Sequence, residues 1–359
     1  MEDKVILVIN PGSTSTKIAA YRGTDPVFIN TIHHSVDEIS AHRGIEEQYT
    51  FRKKIIFEHV EKHGISQEEI SIIIGRGGLL NPIRSGVYAV NDIMIEHLKA
   101  GWQKSLHGAN LAGIIANDMA SEIPGALACI ADPPVVDELG DLARVSGHPQ
   151  FQRKSIFHAL NQKAVSRKHA ENIGRDYEDL NLIVVHLGGG ISVGAHMKGM
   201  IVDVNNAMDG EGPFSPERSG TLPAGDLARL CFSGEYTHEE VRRMFIGEGG
   251  ITAYLQTNDA REVESMIDTG DSKASLIYEA MIYQVAKDIG AMFTVLKGDV
   301  DAVILTGGIA HSSMVTEGII ERIGKLAPVH IYPGEDEMEA LAMNGLRVMR
   351  GETEILEYH

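Results

Sequence analysis

The chain has 359 residues, of which 43% are hydrophobic and 23% charged, so it is long enough for about two ordinary globular domains. Its 50 acidic residues outnumber its 32 lysines and arginines and give a formal charge of −18, which argues against a nucleic-acid or membrane-surface partner. Two cysteines, Cys129 and Cys231, are too few for a disulfide scaffold. We therefore expect a soluble, cytoplasmic protein that acts on small molecules.

Short apolar runs, rich in Ile, Val and Ala, predict the buried strands of an α/β fold. They cover residues 5–9, 70–74, 126–131, 182–185 and 302–305. Helical periodicity predicts helices over residues 155–172, 272–297, 313–326 and 335–349. The second of these ends at Gly298, a residue type that commonly follows a helix.

Two segments, residues 5–21 and 182–197, share one pattern: an apolar strand, a turn of small residues and a second alternating strand. Each therefore resembles a strand–turn–strand hairpin, and the pair indicates an internal duplication with one copy in each half. Coincidence is the alternative, because a strand followed by a glycine turn is common. The best boundary between the halves is the Gly-His-Pro corner at residues 147–149.

The first turn, Gly12-Ser-Thr-Ser-Thr-Lys17, combines hydroxyls, backbone N–H groups and one ammonium, all of which suit phosphate oxygens. It is not a Walker A loop, because Thr16 stands where glycine must precede the lysine. An exposed polar hairpin turn remains the alternative interpretation.

The second turn contains three glycines, Gly188 to Gly190, which would let the backbone approach a ligand closely. The residues that follow alternate like a strand, so the dinucleotide-binding fingerprint does not fit. The same alternation disfavours an esterase nucleophile at Ser192, because the Gly-x-Ser-x-Gly elbow requires a strand, a turn and a helix. Gly307 and Gly308 form a comparable turn after the last apolar run, where a simple helix-entry turn is the alternative.

Charged and polar residues end several of the predicted strands, where open α/β sheets place their ligands. Arg76, Asp132 and His186 lie at such ends, and Arg218 lies in the Pro- and Gly-broken segment 212–220. Each could instead be a paired residue at a strand end, but their convergence favours a functional site. No zinc cage is predicted, because Arg242 replaces the second histidine of the His-Glu-x-x-His pattern.

Taken in order along nearly the whole chain, these segments resemble the acetate kinase family, within the superfamily of sugar kinases, actin and heat-shock chaperone ATPases. The segments that match are Asn10-Pro-Gly-Ser-Thr-Ser-Thr-Lys17, Ser105-Leu-His-Gly-Ala-Asn110, Asp132, His186-Leu-Gly-Gly-Gly190, Arg218-Ser-Gly220, Asp259-x-Arg261, Thr306-Gly-Gly-Ile309 and Glu337. The resemblance implies an α/β fold with two duplicated domains of the actin-like, ribonuclease H-like ATPase type and a cleft between them. Residues 1–150 with 341–359 would form the phosphate and acyl side, and residues 151–340 the nucleotide side.

The same resemblance implies ATP-dependent, reversible phosphorylation of a short-chain carboxylate, with ATP/ADP and Mg²⁺ as cofactors and a homo-oligomer of at least two subunits. Its catalytic residues would be Arg76, Asp132, His186 and Arg218, with Asp132 and Glu337 near the metal. The nucleotide would be bound by Asn10, Ser13, Ser15, Lys17, Gly188, Gly189, Gly190, Asp259, Arg261, Gly307, Gly308 and Ile309. The acyl group would lie beside Gly78, Leu106, His107 and Val185.

Departures from the usual acetate kinase pattern favour the branch of the family that acts on butyrate. Gly77 and Gly78 follow Arg76 directly, and Val185 stands where a bulky residue is common. These small residues predict room for a four-carbon acid. Isobutyrate and acetate are the alternative substrates, and a nucleotide-binding regulator without kinase activity is the alternative from another class.

Overall fold

The computed structural model describes residues 4–12, 15–35, 38, 45–101 and 108–359. It divides into two compact units, unit 1 (Met1–Val136 with Asp336–His359) and unit 2 (Asp137–Glu335). The Gly-His-Pro corner at residues 147–149 lies within unit 2, beyond the point where the chain leaves unit 1.

The described residues contain twelve strands and twelve α-helices. The strands are β1 (Val5–Pro11), β2 (Ser15–Arg22), β3 (Asp25–His33), β4 (Ile70–Arg76), β5 (Val87–Ala89), β6 (Leu127–Ala131), β7 (Asn181–Leu187), β8 (Ile191–Met197), β9 (Met200–Val204), β10 (Ala302–Gly307), β11 (Val329–Pro333) and β12 (Ile355–Leu356). The helices are α1 (Ile45–Lys62), α2 (Asp92–Ala100), α3 (Asn110–Glu122), α4 (Asp141–Arg144), α5 (Ala159–Asn172), α6 (Ala224–Cys231), α7 (His238–Phe245), α8 (Gly250–Leu255), α9 (Ala260–Asp268), α10 (Ser272–Val295), α11 (Ser313–Ile323) and α12 (Glu337–Met349). No helix in these ranges is both long and apolar enough to cross a bilayer.

The two units repeat one sheet topology. In unit 1 the strand order is β12-β5-β6-β4-β1-β2-β3, and in unit 2 it is β11-β10-β7-β8-β9. The first strand of each unit pairs antiparallel with its hairpin partner and parallel with a later strand: β1 with β2 and β4, and β7 with β8 and β10. The duplication predicted from the two hairpin sequences is confirmed, and so is the α/β fold class.

All five apolar runs form strands within one or two residues of their predicted limits, but two helices begin later than predicted. Helix α5 begins at Ala159 and not at Ser155, which is buried; His158 occupies the position before the helix. Helix α12 begins at Glu337, where the Asp336 side chain accepts the Glu339 N–H. Side-chain capping of orphan N–H groups therefore fixes the start of α12.

The central strands β1, β4, β7 and β10 are buried on both faces along most of their length, which explains why they are apolar, whereas the edge strands β3 and β11 are partly exposed. In unit 2, Val185 and Leu305 pack with Met281 and Val285 of α10, whereas Val184 packs on the opposite face of the sheet. In unit 1, α3 covers one face of the sheet, and α12 lies on the other face, where Gly345 approaches Ile6.

The segment that returns to unit 1 is anchored by Tyr358, which is 1% exposed. Its hydroxyl accepts the Asn81 N–H and lies 2.7 Å from His97 Nδ1, and Asn91 Nδ2 donates to its carbonyl. Strand β12 also pairs with β5. Residues near both ends of the chain thus form one folded unit.

The contact between β4 and α3 predicts a specific packing defect. A Cβ built at Gly75 would lie 2.8 Å from Cβ of Ala112, so we expect Gly75→Ala to destabilise unit 1 by about 1–3 kcal/mol. Gly147→Ala is the control, because no atom lies within 4 Å of a Cβ built there. Denaturant unfolding of both variants measures the difference; equal stabilities would contradict the packing argument.

Candidate active site

Unit 1 gathers polar side chains at one edge of its sheet. Strands β1, β4 and β6 are neighbours and run parallel, so Asn10, Arg76 and Asp132 all lie at or just beyond their carboxyl ends. The register and burial of β1 and β4 also place Asn10 and Arg76 on the face that α12 covers. This edge is where parallel sheets of open α/β domains usually bind ligands.

Glu337, the first residue of α12, joins two of these strand ends. Its Oε1 lies 2.8 Å from Arg76 Nη1, and its Oε2 accepts a hydrogen bond from Asn10 Nδ2 at 2.5 Å. A carboxylate in the first turn of a helix also interacts favourably with the helix dipole. The sequence places these three residues in one site, and the structure brings them into direct contact.

Asp132 is held in an unusual backbone conformation directly after β6. Its φ is +39°, and the residue is 1% exposed. Its Oδ1 accepts the Gly86 N–H at 2.8 Å, while its own N–H donates to the Gly86 carbonyl. Left-handed backbone at a non-glycine residue carries strain, and such strain is concentrated at functional sites.

The start of β2 is supported by a buried arginine that the sequence motifs did not single out. Arg52 Nη1 donates to the Ser15 carbonyl at 2.9 Å and to Thr16 Oγ1 at 2.7 Å, and the residue is 2% exposed. Lys17 is exposed and lies opposite Asn10 in the hairpin register. Ser13 lies outside the described residues.

In unit 2, His186 occupies the end of β7 in a closely packed polar environment. Its Nδ1 lies 2.8 Å from Asn161 Oδ1, and its Nε2 lies 3.5 Å from Glu335 Oε2, an ion pair that forms only when the ring is protonated. The His158 ring stacks on His186 with 3.8 Å between centroids and 12° between planes. The sequence analysis missed His158 and Asn161, because single polar residues before and within a helix follow no pattern that predicts this contact.

The triple-glycine turn and the Arg218 loop, which are well separated in the sequence, pack against each other. A Cβ at Gly190 would collide with Nη1 and Cζ of Arg218, and Ser215 Oγ donates to the Gly189 carbonyl at 2.6 Å. Arg218 Nη1 in turn donates to the Ala207 carbonyl. Glycine at position 190 therefore makes room for the guanidinium of Arg218.

Other predicted nucleotide-binding residues have structural roles within unit 2. Gly307, with φ +90°, lies against the Leu187 backbone, and it exchanges two hydrogen bonds with Gly334. No atom lies within 4 Å of a Cβ built at Gly308, whereas Ile309 is buried in the core beside α10. In the turn after β10, Gly307 and Ile309 are therefore packed against the rest of unit 2, whereas Gly308 has free space beside it.

The Asp259–Arg261 motif forms the start of α9. Asp259 accepts the Arg261 N–H and pairs with its guanidinium at 2.7 Å; the hydrogen bond from that guanidinium lowers the pKa of Asp259 to about 2. Both side chains are largely exposed. The neighbouring Asn258 donates to Glu217, which links this segment to the Arg218 loop.

The residues assigned to the acyl pocket are explained by packing inside their own units. A Cβ at Gly78 would lie 2.7 Å from Cα of Asn110, a Cβ at Gly77 would lie 2.6 Å from Cβ of Pro133, and Val185 is fully buried in the unit 2 core. Packing within each unit thus accounts for these small residues, and their place beside the acyl group stays a prediction. Leu106 and His107 lie outside the described residues.

Ser192 lies within strand β8 and is 0% exposed. A nucleophile elbow instead presents its serine at a turn between a strand and a helix. The esterase alternative is therefore excluded by the local fold.

Comparison with known proteins identifies the class to which this fold and these motifs belong. A family model described as the Acetokinase family matches residues 149–343. The chain is also 54% identical to Butyrate kinase 1 of Clostridium acetobutylicum over 353 residues, which cover 98% of this chain and 99% of that relative. The chain therefore belongs to the acetokinase family and is a carboxylate kinase, as its motifs predict.

Solved structures with the same fold include two kinases of small carboxylates. The crystal structure of Porphyromonas gingivalis acetate kinase has a TM-score of 0.81 at 20% identity and matches 96% of this chain and 100% of that chain. A propionate kinase from Francisella tularensis has a TM-score of 0.75 at 20% identity and matches 95% and 98% of the two chains. At these identities the likeness establishes the fold alone.

The contact between Gly190 and Arg218 predicts a loss of activity without a loss of folding. We expect Gly190→Ala to displace the guanidinium and, if Arg218 takes part in the reaction, to reduce kcat by about a hundredfold or more, because a small misplacement of a reacting group is costly. The exposed Gly225→Ala is the control. Steady-state kinetics and thermal unfolding of both variants test this, and an unchanged kcat for Gly190→Ala would remove Arg218 from the reaction.

Proposed function

We propose that the chain transfers the γ-phosphoryl group of ATP to butyrate, forming butyryl phosphate and ADP in a reversible reaction. The observation that carries this proposal is the 54% identity to a butyrate kinase over nearly the whole of both chains. A carboxylate oxygen attacks the γ-phosphorus, and the bond from that phosphorus to the β,γ-bridging oxygen breaks. The chain is proposed to assemble as a homo-oligomer.

The chemistry matches the side chains at the two sheet edges. A short-chain acid with a pKa of ~4–5 is already ionised at neutral pH, so the reaction requires no general base. It requires neutralisation of two anions and their alignment for in-line transfer. Arginines present forked donors for carboxylate and phosphoryl oxygens, which is the role proposed for Arg76 and Arg218.

His186 is proposed to donate from Nε2 to the transferring phosphoryl group. Its Nδ1 lies against an amide oxygen, Oδ1 of Asn161, and therefore carries a proton in this arrangement. Donation from Nε2 at the same time requires the imidazolium form, and Oε2 of Glu335 lies 3.5 Å from this nitrogen. One aligned donor of this kind contributes about 3 kcal/mol to transition-state stabilisation.

The carboxylates of unit 1 fit a magnesium ion that is held partly through water. Mg²⁺ typically uses one or two carboxylates together with waters and substrate phosphates, and no cluster of three or more metal-binding side chains occurs in the described ranges. Because Arg76 and Asn10 already contact both oxygens of Glu337, that residue is proposed to act through water, and Asp132 more directly. The bound ion would neutralise charge on the phosphate oxygens.

The nucleotide is proposed to lie along the glycine turns of unit 2, with Gly188 to Gly190 and Gly307 to Ile309 beside it. Ser15 and Lys17 of unit 1, with Ser13, are proposed to face its phosphates. The support for this assignment is the match of both turns to the family motifs and the open space beside Gly308, where no atom lies within 4 Å of an added Cβ.

The preference for butyrate over acetate rests on the likeness to the curated relative and not on a steric argument. Gly77, Gly78 and Val185 pack against their own units, so a bulkier Val185 would disturb the core as well as any pocket. Isobutyrate and acetate are therefore alternative substrates of the same reaction. Chain-length selectivity has to be measured on the unaltered protein.

Trapping of acyl phosphate with hydroxylamine tests the proposal directly. Protein, ATP and magnesium should yield the acyl hydroxamate in the presence of butyrate and none when the acid or ATP is omitted. Comparison of kcat/KM for butyrate, isobutyrate and acetate then ranks the acids. No hydroxamate with any acid would favour the nucleotide-binding regulator, and a higher kcat/KM for acetate would overturn the assignment of butyrate.

Arg218→Ala should leave the fold intact and lower kcat by about a thousandfold, because the guanidinium is proposed to contact the charged transition state. Arg229→Ala, which removes an exposed arginine from α6, is the matched control and should retain activity. Near-normal turnover of a folded Arg218→Ala protein would exclude this role.

Asp132→Asn should weaken magnesium-dependent activity much more than nucleotide binding. An asparagine can accept the Gly86 N–H and tolerates the left-handed backbone, so the substitution removes mainly the charge. Magnesium titrations of the rate, with Asp268→Asn at an exposed position of α9 as the control, measure the effect. An unchanged magnesium dependence would exclude the metal-binding role.

A further inference from the structure

A chain of buried hydrogen bonds leads from the interior of unit 2 to the stacked histidines. It passes from Tyr177 to His196, Gln162, Ser192 and His158, with successive contacts of 2.8, 2.9, 2.8 and 3.0 Å. Gln162, Ser192 and His196 are each 0% exposed. The proton positions along this chain can be derived from its chemistry, since buried polar groups are almost always hydrogen-bonded.

The orientation of the Gln162 side-chain amide determines which nitrogen of His196 carries a proton. Its Nε2 lies 3.2 Å from the Ser192 carbonyl, which can only accept, so this end of the amide carries the hydrogens. Its Oε1 therefore faces Nε2 of His196, which must be the donor. Burial, followed by the charges of Lys163 and Arg167, holds the pKa of His196 well below its usual range, so this ring is neutral and its Nδ1 accepts from Tyr177.

The hydroxyl of Ser192 determines which nitrogen of His158 is protonated. Ser192 Oγ accepts from Gln162 Nε2 at 2.8 Å, and its own proton must then find an acceptor. Within the described part of the chain, the acceptor in contact with this hydroxyl is Nδ1 of His158 at 3.0 Å. A neutral His158 that accepts at Nδ1 carries its proton on Nε2.

We propose that Ser192 and Gln162 are positioning residues: the Ser192 hydroxyl, held by the Gln162 amide, fixes His158 in the tautomer with its proton on Nε2. Because the rings of His158 and His186 stack at 3.8 Å, a second positive charge at His158 would repel the protonated form of His186. The two rings thus differ in the partner of Nδ1, which is Oδ1 of Asn161 for His186 and the Ser192 hydroxyl for His158. The consequence for catalysis rests on the proposed function of His186.

Nitrogen-15 NMR of the unaltered protein tests the tautomer without any substitution that could unfold it. With the His158 signals assigned by a His158→Gln variant, we expect Nδ1 to resonate as an unprotonated and Nε2 as a protonated imidazole nitrogen. A proton on Nδ1 of His158 would overturn the proposal.

Kinetics of the Ser192→Ala variant test whether the position of the His158 proton affects the reaction. We expect kcat to fall about tenfold, which corresponds to the loss of one buried hydrogen bond, with KM for ATP and butyrate within about twofold of the starting values. In the nitrogen-15 NMR spectrum of this variant, the Nδ1 signal of His158 should no longer be that of an unprotonated imidazole nitrogen alone, because both tautomers become populated. The size-matched Ser192→Cys retains a weak donor and should recover part of kcat, and it replaces the alanine variant if that protein does not fold.

Ser166→Ala is the matched control, because Ser166 is equally buried and lies on the same helix as Gln162. Its hydroxyl donates to the Gln162 carbonyl and lies 3.3 Å from Nδ1 of His196, so it contacts the interior end of the chain and not His158. Equal losses of kcat in Ser166→Ala and Ser192→Ala would show a merely structural effect and overturn the positioning role, as would an unchanged kcat in Ser192→Ala. If the unaltered protein forms no acyl phosphate, the proposed function fails, whereas the NMR result still decides the tautomer.

Discussion

Parallel pairing of β1 with β4, and of β7 with β10, determines where polar side chains can lie in each unit. Because these strands are buried on both faces, polar residues are tolerated mainly where the strands end, and parallel neighbours end at the same edge of the sheet. Asn10, Arg76 and Asp132 occupy that edge in unit 1, and His186 and Gly307 occupy it in unit 2. Both groups of proposed site residues follow from this one arrangement.

The second determinant is the close approach of backbone to neighbouring groups. At Gly75, Gly78 and Gly190 the space for a side chain is taken by Ala112, Asn110 and Arg218 respectively. The first two contacts hold α3 against the sheet, whereas the third holds a proposed catalytic arginine against the turn after β7. Glycine thus permits close helix packing in unit 1, and in unit 2 it leaves space for the guanidinium of Arg218.

The sequence predicts the strands, the duplication and the family, because continuous apolar runs and ordered motifs are properties of the chain itself. It does not predict the contacts of His158, Asn161 and Arg52, whose partners lie far away in the sequence or follow no regular spacing. Nor does it predict that Gly78 and Val185 pack against residues of their own units, because a small residue looks the same in a sequence whatever fills the space beside it. Whether Ser155 caps a helix likewise depends on where the surrounding chain places its hydroxyl.

The return of residues 336–359 to unit 1 has a consequence for biosynthesis. Unit 2 is one continuous stretch, residues 137–335, and its whole sequence has left the ribosome's catalytic centre before α12 is made. Until then the nascent unit 1 lacks Glu337 beside Arg76 and Tyr358 beside His97, and one face of its sheet lacks the cover of α12. Domains generally fold as units during synthesis. Synthesis of unit 1 therefore begins before that of unit 2 and is completed after it.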